Sequence, residues 1–382
     1  MKIVFDARGV QGWSDGLSNY VRHIVTALLK LDTANEYVVL LGPALQEHLA
    51  AAGVLERPNL RVVATDIPFM GVAQQLRIPR LIRGVAPDAT LYHYPHFDMP
   101  LFAHPRSVMT VYDLNHISMS GYFDSLRTLK RIYSAGTTWL SLRKTRHIIT
   151  ISETSKQTLL SRFPWLSPSQ VTVTYFGVSD RFLVPPDSSR IAAFRERFQL
   201  GREPFILYVG TQRPHKNLER LLAAYSRLRH ASHLSHRLVL VGSPRQDEKL
   251  HRLVQAHALN GAVRHVGYLA EEELPLAYRA ADALAFCSLS EGFGMPLLEA
   301  MASGVPIVTS DLGAMAEITG GSAVCVDPYS VESIAEGLHR ILTSATLRQD
   351  LVAKGRERIR DFVWGEAARK TLEVYRRVAE QG

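Results

Sequence analysis

The repeated alternation of strand-like apolar runs with helical periods constrains the fold of this sequence more than any other feature. Such runs recur along all 382 residues, and stretches with helical spacing lie between most of them, the clearest at 122–144. This order predicts an α/β fold with parallel sheets. We predict strands near 2–7, 37–42, 60–65, 89–93, 107–112, 147–151 and 171–175, and in the second half near 205–209, 237–241, 263–266, 282–287, 305–309 and 323–326.

A segment rich in Pro, Ser and Gly interrupts this pattern near the middle of the chain. Residues 177–190, GVSDRFLVPPDSSR, indicate a linker, and the same alternation restarts beyond them. We therefore predict a first domain over 1–185, a second over 186–363 and a C-terminal helix over 364–382. Because ligands of open α/β sheets bind at the carboxyl ends of the strands, we expect a ligand cleft between the two domains.

Composition excludes several classes of protein. The chain is 46% hydrophobic and 21% charged, which is typical of a globular protein, and it has no apolar run near the ~20 residues of a membrane span. The start, MKIVFDARGV, enters a strand directly and does not resemble a signal peptide. Cys287 and Cys325 lie in apolar runs, so we expect two buried thiols and a cytoplasmic location. No Cys/His spacing predicts a metal site.

The net charge of +8 is concentrated in the first half, where residues 1–185 carry 19 basic and 13 acidic residues. A basic half attracts phosphates on nucleic acid, anionic lipid or a diphosphate carrier. We find no nucleic-acid-binding motif and expect no nucleic-acid partner. This half contains two basic clusters, Arg77/Arg80/Arg83 and Arg127/Lys130/Arg131. Each cluster is consistent either with a solvated helix edge or with peripheral attachment to the inner face of an anionic membrane.

Residues 288–310, SLSEGFGMPLLEAMASGVPIVTS, contain two glutamates eight positions apart. Glu291 and Glu299 cannot share one helix, because two glycines and Pro296 intervene. We predict a loop over 288–295 that carries Glu291, then a helix with Glu299 in its first turn. Free N–H groups there can hold an anion while the carboxylates hold hydroxyls, which suits a sugar nucleotide. The alternative is an ordinary connection with solvated glutamates.

A second strand–loop–helix unit, FILYVGTQRPHKNLERLLAAY, precedes that motif by about 75 residues. Gly210 ends the strand, and Asn217 is placed to cap the helix that follows. Arg213 and Lys216 then project from a loop at a positive helix end, which suits a diphosphate. The alternative is a solvated, charged turn.

The stretch EGFGMPLLEAMASGVPIV closely resembles the signature of retaining glycosyltransferases of the GT-B fold, family 4, and the resemblance extends over nearly the whole chain. It implies two Rossmann-like domains facing a cleft, with a C-terminal helix returning to the first domain. It also implies transfer of a hexose from a nucleoside diphosphate sugar to a glycan or a lipid-diphosphate-linked acceptor, without metal or another cofactor. Together with GTQRPHKNL, the motif is similar to the mannosyltransferase-like branch, which favours GDP-mannose.

The resemblance also implies roles for individual residues. Lys216 would stabilise the leaving diphosphate, Glu291 would hold the transferred sugar and Glu299 would bind the ribose. The family's phosphate-binding arginine is replaced here by Thr211, so Arg213 is a candidate substitute. The implied donor-binding residues are Gly16, Thr211, Arg213, Lys216, Tyr268, Glu291, Gly292, Phe293, Gly294, Met295 and Glu299.

In the first domain, Gly12 and Gly16 precede a helix, and the family has a glycine-bearing loop there. Many family members also carry a His–Asp pair after the strand at 107–112, where Tyr112 takes the place of the histidine. Asp113 and His116 are therefore the catalytic candidates of this domain. Two other functions stay open: a sugar-nucleotide 2-epimerase and a non-catalytic nucleotide-sugar-binding protein. An epimerase would convert the sugar nucleotide without an acceptor.

Overall fold

The computed structural model of the chain describes residues 1–10, 16–115, 127–232, 234–242 and 248–381. They form two compact units: unit 1 comprises residues 1–177 and 363–382, and unit 2 comprises residues 178–362. The boundary thus lies at Gly177, inside the segment predicted as a linker and ahead of residue 185. The segment is not an unstructured linker, because a short helix and the start of a longer one lie within it.

Unit 1 is built on a seven-stranded sheet. Its strands are β1 (Lys2–Asp6), β2 (Glu36–Leu41), β3 (Leu60–Ala64), β4 (Leu91–Tyr94), β5 (Ser107–Val111), β6 (His147–Thr150) and β7 (Val171–Val173). Its described helices are α1 (Gly16–Leu31), α2 (Pro43–Ala51), α3 (Val72–Val85), α4 (Arg127–Lys144) and α5 (Glu153–Arg162), followed much later in the chain by the last helix, Trp364–Glu380.

Unit 2 is built on a six-stranded sheet. Its strands are β8 (Phe205–Val209), β9 (Arg237–Val241), β10 (Val263–Gly267), β11 (Ala283–Phe286), β12 (Ile307–Ser310) and β13 (Val324–Val326). Its described helices are α6 (Asp180–Leu183), α7 (Ser188–Arg197), α8 (Leu218–Ser232), α9 (Glu248–Ala256), α10 (Leu274–Ala280), α11 (Met295–Ser303), α12 (Gly313–Thr319), α13 (Val331–Thr343) and α14 (Ala345–Arg358). The last helix of unit 1, Trp364–Glu380, is then α15.

Both sheets are parallel and doubly wound. The strand order is β3-β2-β1-β4-β5-β6-β7 in unit 1 and β10-β9-β8-β11-β12-β13 in unit 2. In each sheet the order reverses between two central strands, β1 and β4 or β8 and β11. Ligands of such sheets bind at this switch point, outside the carboxyl ends of the two strands. The predicted α/β class and all predicted strands are thus confirmed, with small shifts at their ends.

The C-terminal helix returns to unit 1, as the resemblance implies. One face of α15 is apolar and packs against α1 and against the sheet. The hydroxyl of Tyr375 on α15 lies 2.6 Å from Nδ1 of His93 on β4, and Nε2 of His93 lies 2.8 Å from Thr110 Oγ1. Burial lowers the pKa of His93 to about 3, so this histidine is neutral and structural.

Two local predictions differ from the structure. Cys287 is buried, but Cys325 is exposed, because β13 is the edge strand and Cys325 lies on its outward side. Helix α11 begins at Met295, so Glu299 is its fifth residue and lies beyond the first turn. Within the described residues, none of the helices combines the length and the apolar character needed to cross a membrane.

Candidate functional site

The switch point of unit 2 brings together the two motifs that the sequence singles out. The loop after β8 carries Lys216, and the loop after β11 carries Glu291. The main chains of the two loops are joined directly, because Leu289 N–H donates to the carbonyl of His215 over 2.7 Å. The two segments, 75 residues apart in the chain, therefore form one edge of one site.

Lys216 and Glu291 form an ion pair at the centre of this edge. Lys216 Nζ donates to Glu291 Oε1 over 2.7 Å, and only 17% and 12% of the two side chains are exposed. The ammonium also lies 5.1 Å from the ring centre of Phe286. A partly buried, compensated pair of this kind holds both side chains in fixed positions. It presents one cation and one carboxylate to the same region of the switch point.

Asn217 directly precedes α8, but its described side-chain hydrogen bonds are not those of the predicted helix cap. Its backbone is left-handed, with φ 58° and ψ 28°. Its side-chain amide donates to the carbonyls of Cys287 at 2.9 Å and Pro328 at 2.7 Å, and its oxygen accepts from Arg220. The side chain therefore ties the Lys216 loop to the ends of the neighbouring strands. A short side chain in the left-handed region explains why Asn suits this position.

The Gly-rich loop places the start of α11 at the same edge. Gly294 has φ 102°, and a Cβ at this position would lie 2.9 Å from Leu297 Cδ1, so the turn into the helix requires glycine. Pro296 follows in the first turn, where no N–H bond is lost. Phe293 is buried and packs edge-on against Phe362. The described contact of the ring is a packing contact, and the predicted donor contact of Phe293 stays a prediction.

Glu299 is buried in unit 2 rather than exposed at the loop. It is 7% exposed, and its Oε2 accepts a 2.7 Å hydrogen bond from the hydroxyl of Tyr278 on α10. Burial raises the pKa of Glu299 to about 7, although the Tyr278 hydroxyl and Arg181 act in the opposite direction. The carboxylate is therefore a buried, titratable group, and its predicted ribose contact stays a prediction.

The other predicted donor-binding residues of unit 2 follow different strands. Thr211 and Arg213 are exposed on the loop after β8, and the Thr211 carbonyl accepts from the Tyr208 hydroxyl over 2.9 Å. Tyr268 follows β10 and is 56% exposed. Gly292 is buried within the loop, and Met295 is half-buried at the start of α11. Arg213 thus shares the loop of Lys216, as its proposed role as a substitute requires.

Unit 1 contains only part of its predicted site within the described residues. Helix α1 begins at Gly16, whereas Gly12 and His116 lie outside the described residues. Asp113 follows β5, and its carboxylate accepts from the backbone N–H of Asn115 at 3.0 Å and from the Asn115 side chain at 3.2 Å. The described contacts of Asp113 therefore organise its own loop, and a catalytic role for Asp113 stays a prediction.

A buried polar network at the switch point of unit 1 escaped the sequence analysis. Arg8 donates to both carboxylate oxygens of Asp6, at 2.8 and 2.7 Å, and to Gln74. Gln74 in turn donates to Asp98, which lies 2.7 Å from Nδ1 of His96. The sequence shows only that Arg8 directly follows the predicted strand at 2–7, which does not identify the partners of Arg8. The network orients His96, a mostly buried imidazole beside the carboxyl ends of β1 and β4.

The structure describes the side chains of only one of the two predicted basic clusters. Arg77, Arg80 and Arg83 lie on the exposed side of α3, and Arg77 pairs with Asp66 over 3.0 Å. Arg127, Lys130 and Arg131 belong to α4, but their side chains lie outside the described residues. Among the residues that are described, no group of three or more His, Cys, Asp or Glu side chains is arranged to hold a metal ion.

Comparison with known proteins agrees with the fold and identifies the family of the chain. Residues 190–358 match the family described as glycosyl transferases group 1, and residues 14–182 match the family described as glycosyltransferase family 4. The O-antigen chain mannosyltransferase B of Escherichia coli is 29% identical over 387 residues, covering 98% of this chain and 100% of that protein. A glycogen synthase of Mycobacterium tuberculosis is 30% identical, covering 94% of this chain and 90% of that protein.

A solved structure of the Anabaena protein HepE in complex with UDP and glucose has the same fold. It superposes with a TM-score of 0.77 at 18% identity, covering 98% of this chain and 99% of that chain. Two Rossmann-like units, with the paired motifs at the switch point of the second, define a GT-B glycosyltransferase. The chain belongs to glycosyltransferase family 4, the glycosyl transferases group 1.

Proposed function

We propose that the protein is a retaining mannosyltransferase that moves mannose from GDP-mannose to a hydroxyl of a glycan or lipid-linked oligosaccharide in polysaccharide biosynthesis. The observation that carries this proposal is the 2.7 Å Lys216–Glu291 pair at the switch point of unit 2. The mannosyl donor is supported by the similarity to the O-antigen chain mannosyltransferase B, which extends over nearly the whole of both chains.

In this proposal the reaction depends on positioning and on charge stabilisation. The bond between the anomeric carbon and the diphosphate breaks, and the acceptor oxygen bonds to the same face of that carbon. The acceptor proton leaves with the diphosphate, which takes the electron pair. Lys216, aided by Arg213 and by the N–H groups at the start of α11, stabilises the growing negative charge. Glu291 holds the hydroxyls of the sugar and does not attack it, in contrast to retaining glycosidases.

We further propose that the reaction needs no divalent metal. The sequence has no Asp-x-Asp pair, and the loop after β8 supplies Lys216 and Arg213 as cations for the diphosphate. Unit 1 would take the acceptor, with His96 and Asp98 at its switch point as a further oriented pair. His116 and Asp113 remain candidates in the same unit.

Peripheral contact with an anionic membrane is proposed for the start of α3. Val72 and Leu76 are 68% and 61% exposed there, and Arg80 and Arg83 lie exposed on the same helix. Apolar side chains beside arginines suit an interface with anionic lipid, where each basic residue contributes about 1 kcal/mol. Co-sedimentation with anionic vesicles should fall for Arg80→Gln/Arg83→Gln, and binding that ignores this change or high salt would refute the contact.

The experiment that tests the transfer reaction follows the sugar of ¹³C-labelled GDP-mannose by NMR, with a lipid-tailed α-mannoside as acceptor. We expect GDP release and a new mannoside whose anomeric configuration matches the donor. Glu291→Gln should abolish both, whereas Glu336→Gln, an exposed change in the same unit, should not. An inverted product would refute retention. Conversion of the donor to another sugar nucleotide without acceptor would indicate an epimerase instead.

A further inference from the structure

A pocket lies in unit 1, at the edge of the sheet opposite to the strand carboxyl ends. It has a volume of about 840 Å³. Its walls come from the segment that precedes β5, the turn between α4 and β6, the turn before β7 and the last turn of α15. Because the parallel strands of unit 1 all begin at this edge, the pocket is separate from the switch point of unit 1. Its volume is within the range of small-molecule sites.

The pocket is strongly cationic. Arg143, Lys144, Arg146 and Arg377 line it, and no acidic side chain does so among the described residues. Within that same part of the chain, no ion pair involves any of the four, whereas Arg369 on α15 pairs with two glutamates. Burial, followed by the charges of Arg377 and Lys156, lowers the pKa of His147 in the pocket wall to about 4. His147 is therefore neutral at neutral pH and adds nothing to the charge of the four cations.

Helix dipoles explain only part of this charge. Arg143 and Lys144 lie in the last turn of α4, and Arg377 lies in the last turn of α15, where basic residues are stabilised by the helix C-terminus. Arg146 lies beyond the end of its helix, so the dipole does not account for it. Nor does the dipole account for a concave arrangement of all four cations around one pocket.

Exposed aromatic rings accompany the cations. Phe102 is 74% exposed, and Trp139 and Trp165 are 42% and 40% exposed. The guanidinium of Arg143 lies 4.5 Å from the ring centre of Trp139 and 4.8 Å from that of Trp165, and Lys144 Nζ lies 5.5 Å from that of Phe102. Cation–π contacts orient the cations without neutralising them. The exposed rings offer apolar surface beside the charge.

We propose that this pocket binds a phosphate ester, whose phosphoryl group pairs with the four cations and whose organic part lies against the aromatic rings. Arginine guanidinium groups bind phosphate oxygens through paired N–H donors. The same chemistry is offered by a soluble phosphate ester and by the headgroup of an anionic phospholipid. This site is independent of the donor site in unit 2, so the proposal does not rest on the transfer reaction.

The test uses the full chain and two probes. Glycerol 3-phosphate, followed by isothermal titration calorimetry, represents the soluble source, and phosphatidylcholine vesicles with added phosphatidylglycerol represent the lipid source. We expect at least one probe to bind, with affinity reduced about tenfold or more in Arg146→Gln/Arg377→Gln. The double change Arg202→Gln/Lys249→Gln, which removes two exposed cations from unit 2, should bind like the wild type.

The outcomes separate the two sources. Loss of glycerol 3-phosphate binding in the pocket variant identifies a soluble ester. A further fall in vesicle binding when the pocket change is added to Arg80→Gln/Arg83→Gln identifies a lipid headgroup. The proposal is overturned if neither probe binds the wild type, or if the pocket variant binds both probes unchanged. A single exposed change, Lys144→Gln, provides the same comparison with a smaller expected loss if the double variant does not fold.

Discussion

Lys216 Nζ and Glu291 Oε1 lie 2.7 Å apart although 75 residues separate them in the chain. Two parallel strands that are neighbours at the switch point, β8 and β11, bring the residues together. In the proposed function, the pair would place a cation for the diphosphate beside a carboxylate for the sugar. In this arrangement the two parts of a nucleotide sugar would meet their partners at one place.

Replacement of Lys216 by Ala should depress kcat more than it raises KM. The ammonium matters most when negative charge develops on the leaving diphosphate, and loss of one such donor lowers the rate roughly 10²–10³-fold. Steady-state kinetics against donor concentration measure both constants, with Lys249→Ala, a change at an exposed residue of α9, as the control. If KM alone rises, Lys216 binds the ground state and has no role in leaving-group stabilisation.

Stability should depend on pH through Glu299. Its pKa is about 7 in the folded protein against an ordinary value of 4.5, so the folded state binds the proton more tightly. This contribution to the free energy of unfolding is complete below about pH 4.5 and is lost as pH rises through about 7. The loss amounts to roughly 3 kcal/mol at most.

The variant Glu299→Gln has no proton to lose, so the fall in its free energy of unfolding between pH 5 and pH 8 should be smaller. Urea denaturation at the two pH values measures this, and Glu336→Gln serves as the exposed control. An identical pH dependence in wild type and Glu299→Gln would show that Glu299 titrates in its ordinary range.

Replacement of Arg8 by Met should destabilise unit 1 severely. Arg8 and Asp6 are 6% and 0% exposed and share two hydrogen bonds, so the change leaves a buried carboxylate without its partner. Breaking a buried pair in this way costs about 3–5 kcal/mol. Thermal unfolding should show a lowered Tm, while Arg80→Met, on the exposed side of α3, should leave it nearly unchanged. A shift no larger than that of Arg80→Met would contradict the role given to the network.

Activity should survive the removal of divalent metal. In the proposed function, the cations of the β8 loop would take the place that a metal otherwise has at the diphosphate. Transfer assays after dialysis against EDTA should match the untreated enzyme. Complete loss of transfer that is restored by Mg²⁺ or Mn²⁺ would require a metal-dependent mechanism.

The architecture could be predicted from the sequence because each buried parallel strand consists of a continuous apolar run, as at 205–209 and 283–287. The sequence also located Lys216 and Glu291, since each follows such a strand closely. The Arg8 network was not predictable, because its members come from separate segments that only the sheet order brings together. The exposure of Cys325 could not be predicted either. It depends on β13 being an edge strand, and the local sequence does not indicate the order of the strands.

The most direct test of a nucleotide-sugar site at the Lys216–Glu291 pair is calorimetric titration with GDP, UDP, ADP and their sugars. We expect GDP-mannose and GDP to bind the wild type. Glu291→Gln should weaken GDP-mannose about tenfold or more while GDP binds at least as tightly as before, because only the sugar contact is lost. Failure of all these nucleotides to bind the wild type, or equal affinities for GDP-mannose in wild type and Glu291→Gln, would contradict the assignment.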